Sequence, residues 1–88
     1  MKITVEKPSK DKLKQLGVKN WPTWQANPST FPWHYDSTEV CYIIEGKAHV
    51  STETQTVEFG KGDLVTFPVG LDCKWKVIKK IVKHYQFK

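Results

Sequence analysis

Two segments of this chain hold glycines at set distances from a glutamate and a proline, and those distances restrict the backbone more than any other feature. Six residues separate Glu39 from Gly46, five separate Gly62 from Pro68, and Pro68-Val69-Gly70 is followed after two more residues by Cys73. Short runs of alternating polarity lie around these fixed points, broken by Gly, Pro, Asp and Ser. Such runs predict an all-β sandwich or barrel of short antiparallel strands. Strands are expected at 31–35, 40–44, 48–52, 56–59, 64–67, 73–77 and 81–87, with turns at 36–38, 45–47, 53–55, 60–63, 68–70 and 78–80.

The first twenty residues read differently. Ile3 and Val5 alternate with polar neighbours, as a short strand would. Pro8-Ser9 then opens a helix: Ser9 can cap free N–H groups, Leu13 and Leu16 share a face, and Gly17 supplies a left-handed stop. At about two turns such a helix is stable only when packed on something, so it is expected against the barrel as an N-terminal plug. Trp21-Pro22-Thr23-Trp24 suits an edge strand, and Asn27-Pro28-Ser29-Thr30 a turn. The expected organisation is one domain over residues 1–88, with strand and helix in 1–20 and the barrel in 21–88.

Eighty-eight residues support one modest core. The net charge is +5, yet all fourteen basic residues are lysine, six within 1–20 and six within 74–88. Arginine is the usual reader of phosphate and guanine, so this charge reads as solvated surface and blunted strand edges. A lysine- and tryptophan-rich barrel still carries the alternative of single-stranded nucleic-acid binding by stacking, as in OB-folds. No run is apolar enough for a membrane span or a leader, so a cytoplasmic protein is expected, with Cys41 and Cys73 as reduced thiols. A monomer or a homodimer is compatible with the strand edges, the lysine-rich last strand favouring the former.

The letters at these positions also carry a family resemblance. Trp21-Pro22, Trp33-x-Tyr35-Asp36, Glu39-x-Cys41-Tyr42, Glu45-Gly46, Gly62-Asp63-Leu64-Val65, Phe67-Pro68, Gly70-Leu71-x-Cys73-x-Trp75 and Lys83-His84-Tyr85 resemble the small single-domain cupins. These are RmlC-like jelly rolls similar to the cupin domain of ureidoglycine aminohydrolase. The resemblance runs from about Trp21 to the C-terminus and implies a jelly-roll barrel with an interior site. The aminohydrolase is a manganese enzyme, and cupins generally aim a His-x-His pair, a Glu and a later His inward. With three residues before Glu39, the corresponding positions here are Trp33, Tyr35, Glu39 and Cys73. Strand alternation adds Cys41 to the first series and Trp75 and Val77 to the second, and turns His34 outward.

Tryptophan cannot ligate a metal and neutral tyrosine does so weakly, so this register favours no cofactor. It implies a small-molecule pocket walled by Trp33, Tyr35, Cys41 and Trp75, in which Glu39 and Cys73 are the groups able to do chemistry. Desolvation beside the aromatics is expected to raise the pKa of Glu39 and suit it to general acid or base work. The plainer reading is a buried carboxylate hydrogen-bonded across the barrel mouth. Cys73 reads as a buried small hydrophobe, a metal ligand or a reactive thiol, with no obvious activator because Lys74 and Lys76 alternate away from it. A four-residue gap before Glu39 instead places His34 and Pro32 at the histidine positions. That register yields His34, Glu39 and Cys73 as ligands of a divalent transition metal, and a metal-dependent enzyme. Asp36 and Asp63 are expected to support turns, and His49 and His84 to be surface or edge-strand residues.

Overall fold

Two long bent strands form the frame of the molecule. In the computed structural model, which describes residues 1–88, β1 is Thr4–Glu6, α1 Lys10–Leu16, β2 Thr23–Ala26, β3 Ser29–His34, β4 Glu39–Ser51, β5 Thr56–Gly60, β6 Leu64–Phe67 and β7 Asp72–Phe87. A short 3₁₀ turn, Val18–Asn20, follows the helix. All strand pairs are antiparallel, and β4 runs beside β7 along nearly its whole length, from Glu39↔Phe87 to Ser51↔Lys74.

Each long strand changes its outer neighbour halfway along. The first part of β4 pairs with β6 and its last part with β5. The C-terminal part of β7 pairs with β2, and its N-terminal part with β3. The result is two layers that share β4 and β7. One is ordered β1-β6-β4-β7-β2, and the other places β5 and β3 on the remaining halves. Tyr35, Cys41, Ile43, Phe67 and Ile81 from one side meet Val50, Phe59, Cys73, Trp75 and Val77 from the other in one buried cluster. This is the all-β barrel expected from the strand pattern.

The turns expected at 45–47 and 78–80 are not turns. β4 and β7 pass through both places, and the ladder shifts register between Ile43 and Ala48. A bulge bends paired strands without parting them, so the chain gets a corner where the sequence signals suggested a reversal. Gly46 makes the corner possible. Its φ is +99°, and a Cβ there would lie 2.0 Å from the Lys80 carbonyl oxygen. Asn27 and Pro28, which part β2 from β3, lie at the same level as this bend in β7.

The N-terminal helix forms as expected but does not plug the barrel. The Ser9 side chain accepts from the Lys12 N–H, and Gly17 closes the helix at φ +69°. Leu13 and Leu16 pack beside Val18, Trp21, Tyr42, Val40 and Leu64. Val40 and Leu64 alternate with the core residues Cys41 and Val65, so the helix covers the outer face of the first layer. Asp63 supports its turn as expected, accepting from the Gly60 N–H at 2.8 Å and from Lys7 at 2.8 Å. The two remaining histidines have partners: His84 Nδ1 lies 2.9 Å from the Trp21 carbonyl oxygen, and His49 pairs across the ladder with Glu58 at 2.9 Å.

Two glycines at positive φ give a controlled test of the corner. Gly62 has φ +90° with open space around its missing side chain, whereas Gly46 faces backbone. Gly62→Ala should cost about 1 kcal/mol of unfolding free energy from conformation alone, and Gly46→Ala clearly more, roughly 3 kcal/mol or above. Denaturant titration of both variants decides it; equal losses would mean that the Lys80 carbonyl does not constrain the bend.

Candidate functional site

A cavity of about 200 Å³ opens between β2, β3, the start of β4 and both halves of β7. Six of its eight lining residues are aromatic: Trp24, Phe31, Trp33, Trp75, Tyr85 and Phe87. Glu39 and Lys83 are the other two. The registers explain the gathering. Trp24 stands opposite Lys83, Phe31 opposite Trp75, and Glu39 opposite Phe87. Alternation along β7 then aims Trp75, Lys83, Tyr85 and Phe87 to the same side. Phe31 and Trp75 stack at 6.1 Å with 7° between their planes, and Trp24 meets both edge-on.

At the base of the cavity Lys83 Nζ donates to Glu39 Oε2 at 2.7 Å, with both side chains more than nine-tenths buried. The ammonium also lies 4.8 Å from the centroid of Trp24 and 4.7 Å from that of Trp75. Removing an ammonium and a carboxylate from water costs several kcal/mol per ion unless each finds a partner. Here the ion pair and two electron-rich indole faces supply that compensation. The lone neutral acid expected at Glu39 is therefore one half of an ion pair. Sequence reasoning passed over Lys83, although Ile81, Lys83 and Tyr85 share the inward parity of Trp75; that shared parity was the available signal.

Tyr35 is buried behind this pair, stacked on Phe67 at 4.9 Å. Burial first, then the charge of Glu39 and a hydrogen bond to it, push the phenol pKa above its ordinary value. It stays neutral beside the carboxylate. Trp33, expected inside, is 49% exposed and stands at the cavity rim, edge-on to Tyr35 at 6.4 Å. Parity gives the side of a strand, not the depth, and β3 ends at the rim. Glu39 and Trp75 line the cavity with Trp33, whereas Tyr35, Cys41 and Cys73 stand outside its lining. Cys41 is fully buried in the core, and burial pushes its thiol up to about 12. Cys73 Sγ rests 3.5 Å from the Trp33 carbonyl oxygen, and burial, then the charges of Asp72 and Glu39, push it up to about 11.

The residues present do not suit a metal. His34 is exposed on the far side of β3, its Nδ1 2.7 Å from Asp72 and its Nε2 3.4 Å from Asp36. It is thus not brought together with Glu39 and Cys73, and the four-residue register fails because His34 and Glu39 point to opposite faces. No three His, Cys, Asp or Glu side chains converge anywhere in the structure. The Lys83 ammonium lies 2.7 Å from one oxygen of Glu39, so a second cation on that carboxylate would meet its like charge. No helix is long and apolar enough to cross a membrane.

Comparison with known proteins adds to this geometry. The family model for EutQ-like cupin domains matches residues 13–85. A DUF861 family protein from Thermotoga maritima is 49% identical, over 99% of this chain and 100% of its own, with a TM-score of 0.97. The EutQ protein of Clostridium difficile shares the fold at 22% identity and TM-score 0.69, over 74% of this chain and 52% of that one. A putative ethanolamine utilization protein Q from Salmonella typhimurium does so at 25% and 0.68, over 74% and 53%. This chain thus spans about half the length of those two proteins. No curated protein matches it.

Two measurements follow from the buried groups. Glu39→Gln and Lys83→Met should each lose roughly 3–5 kcal/mol of unfolding free energy, because each strands a buried charge. The double variant should lose much less than their sum; additive losses would show the pair to be uncoupled. The thiols give a pH dependence. Their folded pKa values lie above the ordinary 9.0, so their contribution is complete below pH 9 and is lost as pH rises towards 11–12. Unfolding free energy should fall by up to ~1.4 kcal/mol per pH unit for each thiol in that window. Cys41→Ala should flatten the slope, as equilibrium unfolding at pH 8 to 11 would show.

Proposed function

Because the chain belongs to the EutQ-like cupin domain family, we propose that it uses the interior of that fold to bind a small, flat organic molecule without a metal. The observation that carries this reading is the aromatic cavity with the Glu39–Lys83 pair at its base. At about 200 Å³ it is smaller than the roughly 300 Å³ at which drug-sized sites begin. A single substituted ring would fill it.

The walls and the base have separate tasks. Phe31, Trp24 and Trp33 offer faces and edges to a flat ring. Lys83 offers N–H donors, and Glu39 a carboxylate that accepts hydrogen bonds. The same pair can pass a proton, the ammonium as donor and the carboxylate as acceptor, so acid/base chemistry at a bound carbonyl or amide lies within the reach of these residues. Tyr35, held neutral beside Glu39, supports the carboxylate from behind.

Benzamide is a suitable first probe, since Trp24, Trp33 and Trp75 all line the cavity and report on it by fluorescence. Saturable quenching is expected, together with a rise in melting temperature. Trp33→Ala should weaken binding about fivefold, the equivalent of ~1 kcal/mol of ring contact. Since Trp33 is half exposed, that variant should keep the stability of the parent. Absence of saturable quenching by benzamide and by a panel of other single-ring amides and acids would refute the reading.

A further inference from the structure

We propose that Lys83 is an amine nucleophile that captures small aldehydes or ketones in this cavity as a reversible imine. The inference rests on the reading that the cavity holds a small molecule, and adds the chemical class and the bond.

Of the fourteen lysines, Lys83 is the buried one, and it lines the cavity. A lysine amine enclosed by aromatic walls, within reach of a bound small molecule and of a group that can take its proton, is the usual starting point for imine chemistry. Its position is fixed. The Trp24 and Trp75 faces lie 4.8 and 4.7 Å from Nζ and limit the rotation of a side chain that on the surface would be free. The remaining requirement is a group to move protons, and the Glu39 carboxylate is 2.7 Å away. The competing nucleophiles are removed: Cys41 and Cys73 are outside the lining and hold their protons tightly.

The step balances with these two residues and the carbonyl compound alone. Glu39 takes one proton from the Lys83 ammonium, and the free amine lone pair attacks the carbonyl carbon. A C–N bond forms, and the carbonyl π electrons move to oxygen. That oxygen takes a proton released by nitrogen, giving the carbinolamine. Glu39 then returns its proton to the hydroxyl, the C–O bond breaks, and water leaves as nitrogen forms the C=N bond. Ammonium plus carbonyl compound has become iminium plus water, and Glu39 is again a carboxylate beside a cation. No oxidant, reductant or metal enters. The charge at the base of the pocket is the same before and after, so the ion pair dissolved by the first proton transfer is restored when the iminium forms. Aromatic walls and limited volume select small, apolar or single-ring carbonyl compounds over sugars.

The full chain is treated with benzaldehyde and cyanoborohydride, which reduces an imine to a stable secondary amine, and followed by intact mass and peptide mapping. Benzyl alcohol, the same ring without a carbonyl, reports on cavity binding through tryptophan quenching. The expected result is one fast adduct per chain on Lys83, forming at least about tenfold faster than on any surface lysine. Benzyl alcohol should slow it. Lys83→Arg, which keeps the charge opposite Glu39, should abolish it. If both ring compounds quench but adducts spread evenly over the lysines of the unaltered protein, the imine is refuted while ligand binding stands. If neither quenches and no fast adduct forms, both readings fall.

Discussion

The structure depends on an ammonium held out of water. Lys83 and Glu39 come from the far end of β7 and the first residue of β4, and their 2.7 Å contact joins the two long strands where the cavity opens. Neither ion is stable there alone. Trp24 and Trp75 are placed so that their ring faces offset part of the desolvation that a single carboxylate would leave uncompensated. The aromatics around the site therefore do more than fill volume. They allow a charge pair to exist inside a small barrel, and the pair in turn leaves a polar base under an otherwise apolar cavity.

That arrangement needs the corner in β4 and β7. Because both strands bend at the same level, one half of β7 faces β2 and the other faces β3. Trp24 and Phe31, on separate strands, then converge on Trp75. A glycine at position 46 is the local condition, since the Lys80 carbonyl lies where any side chain would stand. The link from one backbone contact to the shape of the cavity is short: without the bend, the aromatic walls would lie along a flat sheet.

The pair also accounts for the chemistry of the interior. Cupin domains often bind metals; here a tethered cation sits against the motif glutamate, and the neighbouring thiols and phenol stay protonated under burial and the carboxylate's field. A metal centre and an ammonium both present positive charge to a bound carbonyl oxygen. They differ in that an amine also has a lone pair to share once its proton is moved.

What the sequence determined by itself was local or periodic. Strand alternation placed Tyr35, Glu39, Cys41, Cys73 and Trp75 on the buried side, and Ser9 and Gly17 marked the helix, because these follow from rules spanning a few residues. Tertiary structure decided the rest. The sequence could not show that 45–47 and 78–80 are bends within continuous strands, since a bulge and a turn use the same residues and differ only in what lies opposite. Nor could it show that Trp33 stops at the rim, because alternation carries no depth. Parity alone aims Lys83 inward but says nothing of its partner, which is forty-four residues away. A lysine in a strand reads as exposed until the fold brings a carboxylate and two indoles to it, and only long-range pairing can do that.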